Sequence, residues 1–374
     1  MKPVKVVLVG AGSANFGRCT LVDLMSCKEL RKTDLEIWLV DTDPEALGRM
    51  KKVAGMIRER LKSRARIRAT TDRREALPGA GYVVTAVSRK RFLLWEQDFR
   101  VPIAFGFKHV DGENGGPGAA FHTLRSLHLV VPICRDMQEL CPDALLLNFT
   151  NPESRVILGV SKLTKVRAVG LCHGAFSTHY VVANLLGRKP EDVDITIGGI
   201  NHFHWVLGVR SRATGKSLGP AFRRALRSKL HTLDPTTQRM VGLFGLLPFP
   251  AASHIAEYVS WGHETCGMLW PQGAEGRPVD GDWKNYRRWM EWELERTRRI
   301  VAGKEPMGKD FVRPSGEIAV KSQSEEDEVI CYNCDIDLAA NLKKTMFNFA
   351  AHRRPEHYKL IVERVGAEVT PANG

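Results

Sequence analysis

A thiol and an imidazole stand at the ends of two short apolar runs. Cys172 lies in Gly170-Leu171-Cys172-His173-Gly174, after the run at 166–171, and His202 lies in Gly199-Ile200-Asn201-His202, after the run at 193–200. Runs of that length rich in β-branched residues read as strands, and polar residues just past strand ends are where α/β proteins build sites. One Cys and one His cannot close a structural zinc site, which takes four protein ligands. They can hold a metal whose remaining positions stay open to substrate. A lone Cys is also commonly a small apolar core residue, so the pair gains meaning only from the elements that position it.

The first of those elements is an apolar run at 4–9, followed by Gly10-Ala11-Gly12-Ser13-Ala14-Asn15-Phe16-Gly17 and a helical stretch at 18–27. Strand, glycine turn and helix in that order gather backbone N–H groups at a helix N-terminus, where a pyrophosphate is stabilised. Gly10, Gly12, Ser13, Asn15 and Phe16 are the candidate contacts, with Asn15 standing where the fingerprint has its third glycine. A second run at 35–40 ends at Asp41, placed to accept hydrogen bonds from an adenosine ribose and so to favour NAD over NADP. Asp43 is the alternative. Further strands are expected at 66–69, 82–87 and 144–148, with helices at 44–61 and 121–140.

This repetition predicts an α/β protein with a Rossmann-like doubly wound parallel sheet, followed by an α+β substrate domain. Past the fifth strand, Asn148-Phe149-Thr150-Asn151-Pro152 presents Asn151 in an extended or turn geometry, because a following proline disfavours helix. Its amide suits either a sugar hydroxyl or the capping of the next helix.

Composition bounds the function. The chain has 374 residues, 43% hydrophobic and 26% charged, which is ordinary for a globular protein. No run approaches the roughly 20 apolar residues of a membrane span, and eight cysteines without framework spacing suit a reducing compartment. A cytoplasmic protein without membrane contact is expected. The excess of 55 basic over 42 acidic residues is spread over several segments and matches no nucleic-acid motif. It suits solvated helix faces and the attraction of an anionic cofactor or an acidic sugar, and nucleic acid is not an expected partner. Cys331 and Cys334 form a CxxC pair with no second pair to complete a zinc site.

Taken together, these segments resemble glycoside hydrolase family 4, the NAD-dependent and divalent-metal-dependent glycosidases that depart from two-carboxylate hydrolysis. The resemblance is carried by Gly10-Ala-Gly-Ser13, Asp41-Thr-Asp-Pro44, Gly116-Pro-Gly118 with Leu124-Arg125, the run at 141–148, Thr150-Asn-Pro152, Gly170-Leu-Cys-His-Gly174, Gly199-Ile-Asn-His202 and His254-Ile-Ala-Glu-Tyr258. It implies Cys172 and His202 as ligands of Mn²⁺, Asp41 as the ribose partner, Asn151 as a contact to sugar hydroxyls, and Arg125 and Glu257 as further substrate residues. The implied reaction is redox-assisted elimination on a small sugar glycoside. NAD⁺ takes a hydride from C3, and the ketone acidifies the C2 proton. The metal stabilises the enediolate, a base takes the proton, the glycosidic oxygen leaves, water adds and the hydride returns. A homo-oligomer is implied as well.

The chain departs from the family at the acid and the base. Glu113, in Gly112-Glu113-Asn114, stands where the family commonly has the Asp of Gly-Asp-Thr, and is the candidate general acid or metal support. The stretch before His254 lacks the acidic, tyrosine-containing run of some members, which leaves Tyr258 and His254 as candidate bases. From 314 onward the sequence resembles the C-terminal end of nitrilase-superfamily amidohydrolases, without the Glu, Lys and Cys of their chemistry, so no amidase activity is implied. These readings divide the chain into a NAD-binding domain at 1–165, a metal and substrate domain at 166–313, and a tail at 314–374. Two other functions fit the same first half: a NAD-dependent 2-hydroxy-acid or sugar dehydrogenase that accumulates NADH without a metal, and a NAD-binding relic without turnover.

Overall fold

The computed structural model describes residues 3–266 and 283–312, so the tail at 314–374, for which a nitrilase-like end was expected, and the Cys331/Cys334 pair lie outside the described residues. Six strands, β1 (Pro3–Val9), β2 (Asp34–Val40), β3 (Arg66–Thr70), β4 (Tyr82–Thr85), β5 (Leu145–Asn148) and β6 (Arg167–Gly170), form one sheet in the order β3-β2-β1-β4-β5-β6. All five pairings are parallel. This is the doubly wound Rossmann order, whose direction reverses between β1 and β4 and opens a crevice at their carboxyl ends.

The apolar runs are continuous because both faces of the sheet are buried. Val6, Leu8, Ile37 and Leu39 pack against Leu21, Met50 and Val53 on one face. Val7, Val9, Trp38 and Val40 pack against Val130, Met137 and Val156 on the other. Two boundaries and one helix differ from the sequence reading. The long helix runs Gly116–Leu140, starting earlier because Pro117 suits the first helical turn, and β4 stops at Thr85. A helix at Arg91–Ala104 was not expected, since Pro102 interrupts its pattern.

The glycine turn shows why the missing third glycine does not break the fold. Gly10 has φ +91°, and a Cβ there would collide with the Ala86 carbonyl. The close approach between turn and helix falls instead to Gly17, where a Cβ would collide with the Ala11 carbonyl. Asn15 therefore needs no special backbone, and the helix Phe16–Ser26 begins directly after it.

Beyond the sheet, β7 (Val193–Ile200) and β8 (Phe203–Ser211) pair as an antiparallel hairpin, and Val182, Val193, Val206, Phe222 and Leu226 form its own core. Residues 283–312, which the sequence places in the second domain, pack back onto the first. Ile300 and Phe311 share a core with Leu8 and Leu39, and Arg18 Nη1 donates to the Phe311 carbonyl at 2.9 Å. Among the described residues no helix is long and apolar enough to cross a membrane.

Gly10→Ala should lower stability by at least about 1–3 kcal/mol, because it adds a left-handed strain to a collision. Gly48→Ala, in a helix with open space around it, should be neutral or stabilising by up to about 1 kcal/mol. Urea unfolding of the two variants checks both signs.

Candidate active site

Five separate segments converge at the carboxyl ends of β5 and β6. Asn151 follows β5, Cys172 follows β6, His202 sits in the β7–β8 turn, Glu113 lies in the loop before the helix Gly116–Leu140, and His254 to Tyr258 form a short helical turn. Cys172 Sγ and His202 Nε2 come within 3.3 Å although thirty positions separate them in the chain. The Gly174 amide points at the same sulfur at 3.4 Å. His202 is held at φ +61°, in the left-handed region that a non-glycine residue seldom adopts. Its ring lies parallel to that of His254 at 4.1 Å and stacks on Phe249 at 5.4 Å.

Behind this pair is a buried carboxylate system. Glu113 Oε1 accepts from Arg91 Nη2 at 2.5 Å and from Asn151 Nδ2 at 3.1 Å. Glu257 Oε1 accepts from the backbone amide of Glu113 at 2.6 Å, and its Oε2 accepts from that of Asn114 at 3.0 Å. The fit leaves no room for side chains: a Cβ on Gly115 would collide with the Glu257 carbonyl. Tyr258 donates its hydroxyl to the Asn201 carbonyl at 3.2 Å and stacks on Phe203. The Asn151–Pro152 peptide is cis.

Residues 5–188 match the family described as Family 4 glycosyl hydrolase. In that segment the chain is similar to glycosyl hydrolase family 4. An α-glucosidase from Erwinia rhapontici is 32% identical over 301 residues, 70% of this chain and 66% of that enzyme. An α-galactosidase from Rhizobium meliloti is 30% identical over 271 residues, covering 70% of this chain and 53% of the relative. The chain thus spans between half and two-thirds of the length of these relatives. A crystal structure of a 6-phospho-α-glucosidase from gut microorganisms in complex with NAD and Mn²⁺ superposes with TM-score 0.70 at 20% identity, over 85% of this chain and 72% of that one, and so shares the fold.

The donor set of this chain fits a metal with open positions. Metal–sulfur and metal–nitrogen bonds of about 2.3 and 2.1 Å meeting near a right angle or slightly wider put the donors roughly 3.1–3.6 Å apart, which brackets the observed 3.3 Å. Among the described residues no third His, Cys, Asp or Glu joins them. The buried Asn201 Oδ1 and His202 Nδ1 have no hydrogen-bond partner there. The glycine turn fits a dinucleotide. Asp41 Oδ2 accepts from the Gly12 amide at 2.7 Å, while the amides of Ala14 and Asn15 have no acceptor among the described residues. Gly10, Phe16 and Gly17 line a cleft of about 180 Å³, and Ser13 Oγ accepts from the Phe16 amide. Asp43, the alternative to Asp41, is the cap of the helix Pro44–Arg60 instead.

Two expected substrate residues are engaged elsewhere. Arg125 is paired with the buried Asp98 through both terminal guanidinium nitrogens, Nη1 and Nη2. Glu257 is only 8% exposed and spends both oxygens on the 113–114 backbone, so it clamps the loop that carries Glu113. Conversely, the sequence reading missed Arg91 and Phe249. Neither sits in a motif, and Arg91 opens the unexpected helix.

Burial sets the protonation states. It drives His202 down to about 3, helped by His254, and His204 and His122 down to about 4. It raises the Cys172 thiol, against the Gly174 amide. It would raise Glu113 too, but Arg91 foremost and the neighbouring imidazoles hold that carboxyl down to about 2. For Glu257, with no ion-paired cation among the described residues, burial first and the Glu113 charge second push it up to about 8.

The linkage signs follow. Depressed histidines contribute stability that is complete above pH 6.5 and lost as pH falls. A raised Glu257 contributes stability that is complete below its ordinary value near 4.5 and lost as pH rises towards 8. Between pH 6.5 and 8 the histidines are silent, so the urea midpoint of the wild-type chain should fall with pH. Glu257→Gln should flatten that slope, and an equal slope in both proteins would refute the assignment.

Proposed function

We propose that the chain is a glycosidase acting on O-glycosidic bonds of small sugars, with NAD⁺ in the crevice after β1 and a divalent metal, Mn²⁺ by kinship, at Cys172 and His202. The observation that carries this reading is the convergence of those two donors, 3.3 Å apart, at the carboxyl ends of the same sheet whose glycine turn fits a dinucleotide. When bound, NAD⁺ would supply a hydride acceptor and the metal, held by Cys172 and His202, a Lewis acid.

The chain's own residues then divide the remaining work. Asp41 keeps one lone-pair region on each oxygen for ribose hydroxyls after accepting from the Gly12 and Asp43 amides. The Asn151 amide, steadied by Glu113, offers its carbonyl oxygen to a sugar hydroxyl. Glu113 is held ionised at neutrality by Arg91 against its burial, so of its two expected roles, general acid or metal support, we favour the support, with its carboxylate accepting hydrogen bonds. Burial holds the Tyr258 phenol in its protonated form, as does its bond to the Asn201 carbonyl, so it serves as a donor rather than as the C2 base. His254 braces the His202 ring face to face. We divide the chain functionally into the NAD-binding part at 1–165 and the metal and substrate part at 166–313, with residues 283–312 returning to support the former. A homo-oligomer remains part of this proposal. The relatives act on glucosides and galactosides by name, which supports the substrate class and leaves the sugar open.

Aryl α-glucosides and α-galactosides, given with NAD⁺ and Mn²⁺ in D₂O, should release the aryl alcohol with deuterium at C2 of the sugar and without net NADH. Hydrolysis free of deuterium would exclude elimination, and equimolar NADH would identify a dehydrogenase. Cys172→Ser should lower turnover by about a hundredfold or more. In the Co²⁺-loaded protein it should also abolish the thiolate-to-metal absorption band, a readout independent of turnover.

A further inference from the structure

One carboxylate beside the site has no part in that scheme. Glu153 opens the helix Glu153–Leu163, directly after Asn151 and Pro152, and is half-buried. Its Oε2 accepts from the Ser154 hydroxyl at 3.2 Å, and its Oε1 has no partner among the described residues. It forms no ion pair there either, since Arg155, two positions on, gives its Nη1 to the Asn114 carbonyl. Glu113 and Glu257 differ from it on this point, because both oxygens of each already accept hydrogen bonds. An acidic residue in the first turn of a helix is favoured by the helix dipole. That accounts for the residue type but not for its surroundings.

A Cβ on Gly170 would fall 1.5 Å from Glu153 Oε1, so only a glycine leaves room for this carboxylate. Gly170 ends β6 without a positive φ, and is therefore needed for space rather than for backbone conformation. Cys172 follows two residues later. On the other side, Ser154 Oγ accepts from the Asn201 amide at 3.2 Å, next to His202. The first turn of this helix thus meets both segments that carry the candidate metal donors. Burial foremost, with the Glu153 charge among the lesser causes, raises the Cys172 thiol and the Tyr258 phenol, so its charge reaches both. Burial also raises Glu153 itself, against the Ser154 hydroxyl, whereas Arg91 holds Glu113 down.

We propose that Glu153 is the base that takes the C2 proton of the sugar, the role left open once Tyr258 is a donor and His254 a brace. The proposal rests on the glycosidase reading for its substrate. The proton passes to Oε1, and the C2–H electron pair enters the enolate of the C3 ketone left by hydride transfer to NAD⁺. The glycosidic oxygen then leaves with its bonding pair as the C1–C2 double bond forms. When water adds at C1, the carboxyl returns a proton, exchanged with solvent, to C2. A carboxylate without an ion pair is suited to this, since a base is most effective when its acidity lies near the operating pH.

The full chain with NAD⁺ and Mn²⁺, given an aryl α-glucoside or α-galactoside in D₂O, tests it. Glu153→Gln should lower both aryl alcohol release and deuterium entry at C2 by about a hundredfold or more. It should still form bound NADH on mixing with the glycoside, because hydride transfer precedes the blocked step. It should also keep the wild-type affinity for NAD⁺ and the thiolate-to-metal band of the Co²⁺-loaded protein. Glu153→Asp, which shortens the side chain but keeps the carboxylate, should retain more turnover than Glu153→Gln. A loss below about tenfold in Glu153→Gln would overturn the base, as would the reverse order of the two variants. Turnover lost together with NADH formation, NAD⁺ binding or the Co²⁺ band would make Glu153 a support of the fold instead. A wild type that releases no aryl alcohol removes the glycosidase reading, whereas a wild type that turns over beside an equally active Glu153→Gln removes the base alone.

Discussion

Two carboxylates buried side by side set the conditions for everything else at the site. Glu113 and Glu257 are 4% and 8% exposed and come from segments 144 positions apart. Buried charge is tolerable only when paired or hydrogen-bonded. Glu113 meets that condition with Arg91 and Asn151, and Glu257 meets it with the backbone amides of 113 and 114. Because each partner belongs to a different element, satisfying the two carboxylates pulls the helix Arg91–Ala104, the loop after β5 and the short helical turn at 252–258 into one place. The pair also pushes its own members apart in acidity, leaving one carboxyl ionised and the other inclined to keep a proton, which is the usual route to distinct proton-transfer roles.

The imidazoles obey the same constraint with the opposite sign. His202 and His204 are buried with no ion-paired carboxylate among the described residues, so burial keeps them neutral, and a neutral imidazole is the form that ligates a metal. The parallel stack of His254 on His202 and the Phe249 face beside them restrict ring rotation. A ligand that must meet an ion beside a thiol is thereby aimed before any ion arrives, which reduces the ordering cost of binding.

Much of this was legible in the sequence. Period, turn chemistry and strand length gave the parallel sheet, because a strand buried on both faces must be apolar throughout and a glycine turn before a helix has few alternatives. The Cys172 and His202 pairing was legible through motif order. The third glycine was misplaced, since the collision that demands it occurs at Gly17, two positions beyond the expected one. Arg125 and Glu257 were read as substrate residues because sequence does not reveal that a charged side chain has already found its partner inside the fold. Arg91 was invisible for the complementary reason: it lies in an unpatterned stretch, and its importance comes from a carboxylate 22 positions away.

The sequence by itself determined the architecture and the inventory: a doubly wound sheet, a dinucleotide turn, a thiol and an imidazole just past strand ends, and acidic residues in the loops. Local sterics and hydrophobic period act between near neighbours, so they are written along the chain. Only the tertiary structure decided which of those groups are ionised, which are occupied, and which face one another. Those properties depend on burial and on long-range charge pairs, whose strength is set by distance in space and by the exclusion of water, and neither quantity has a signature in the order of residues.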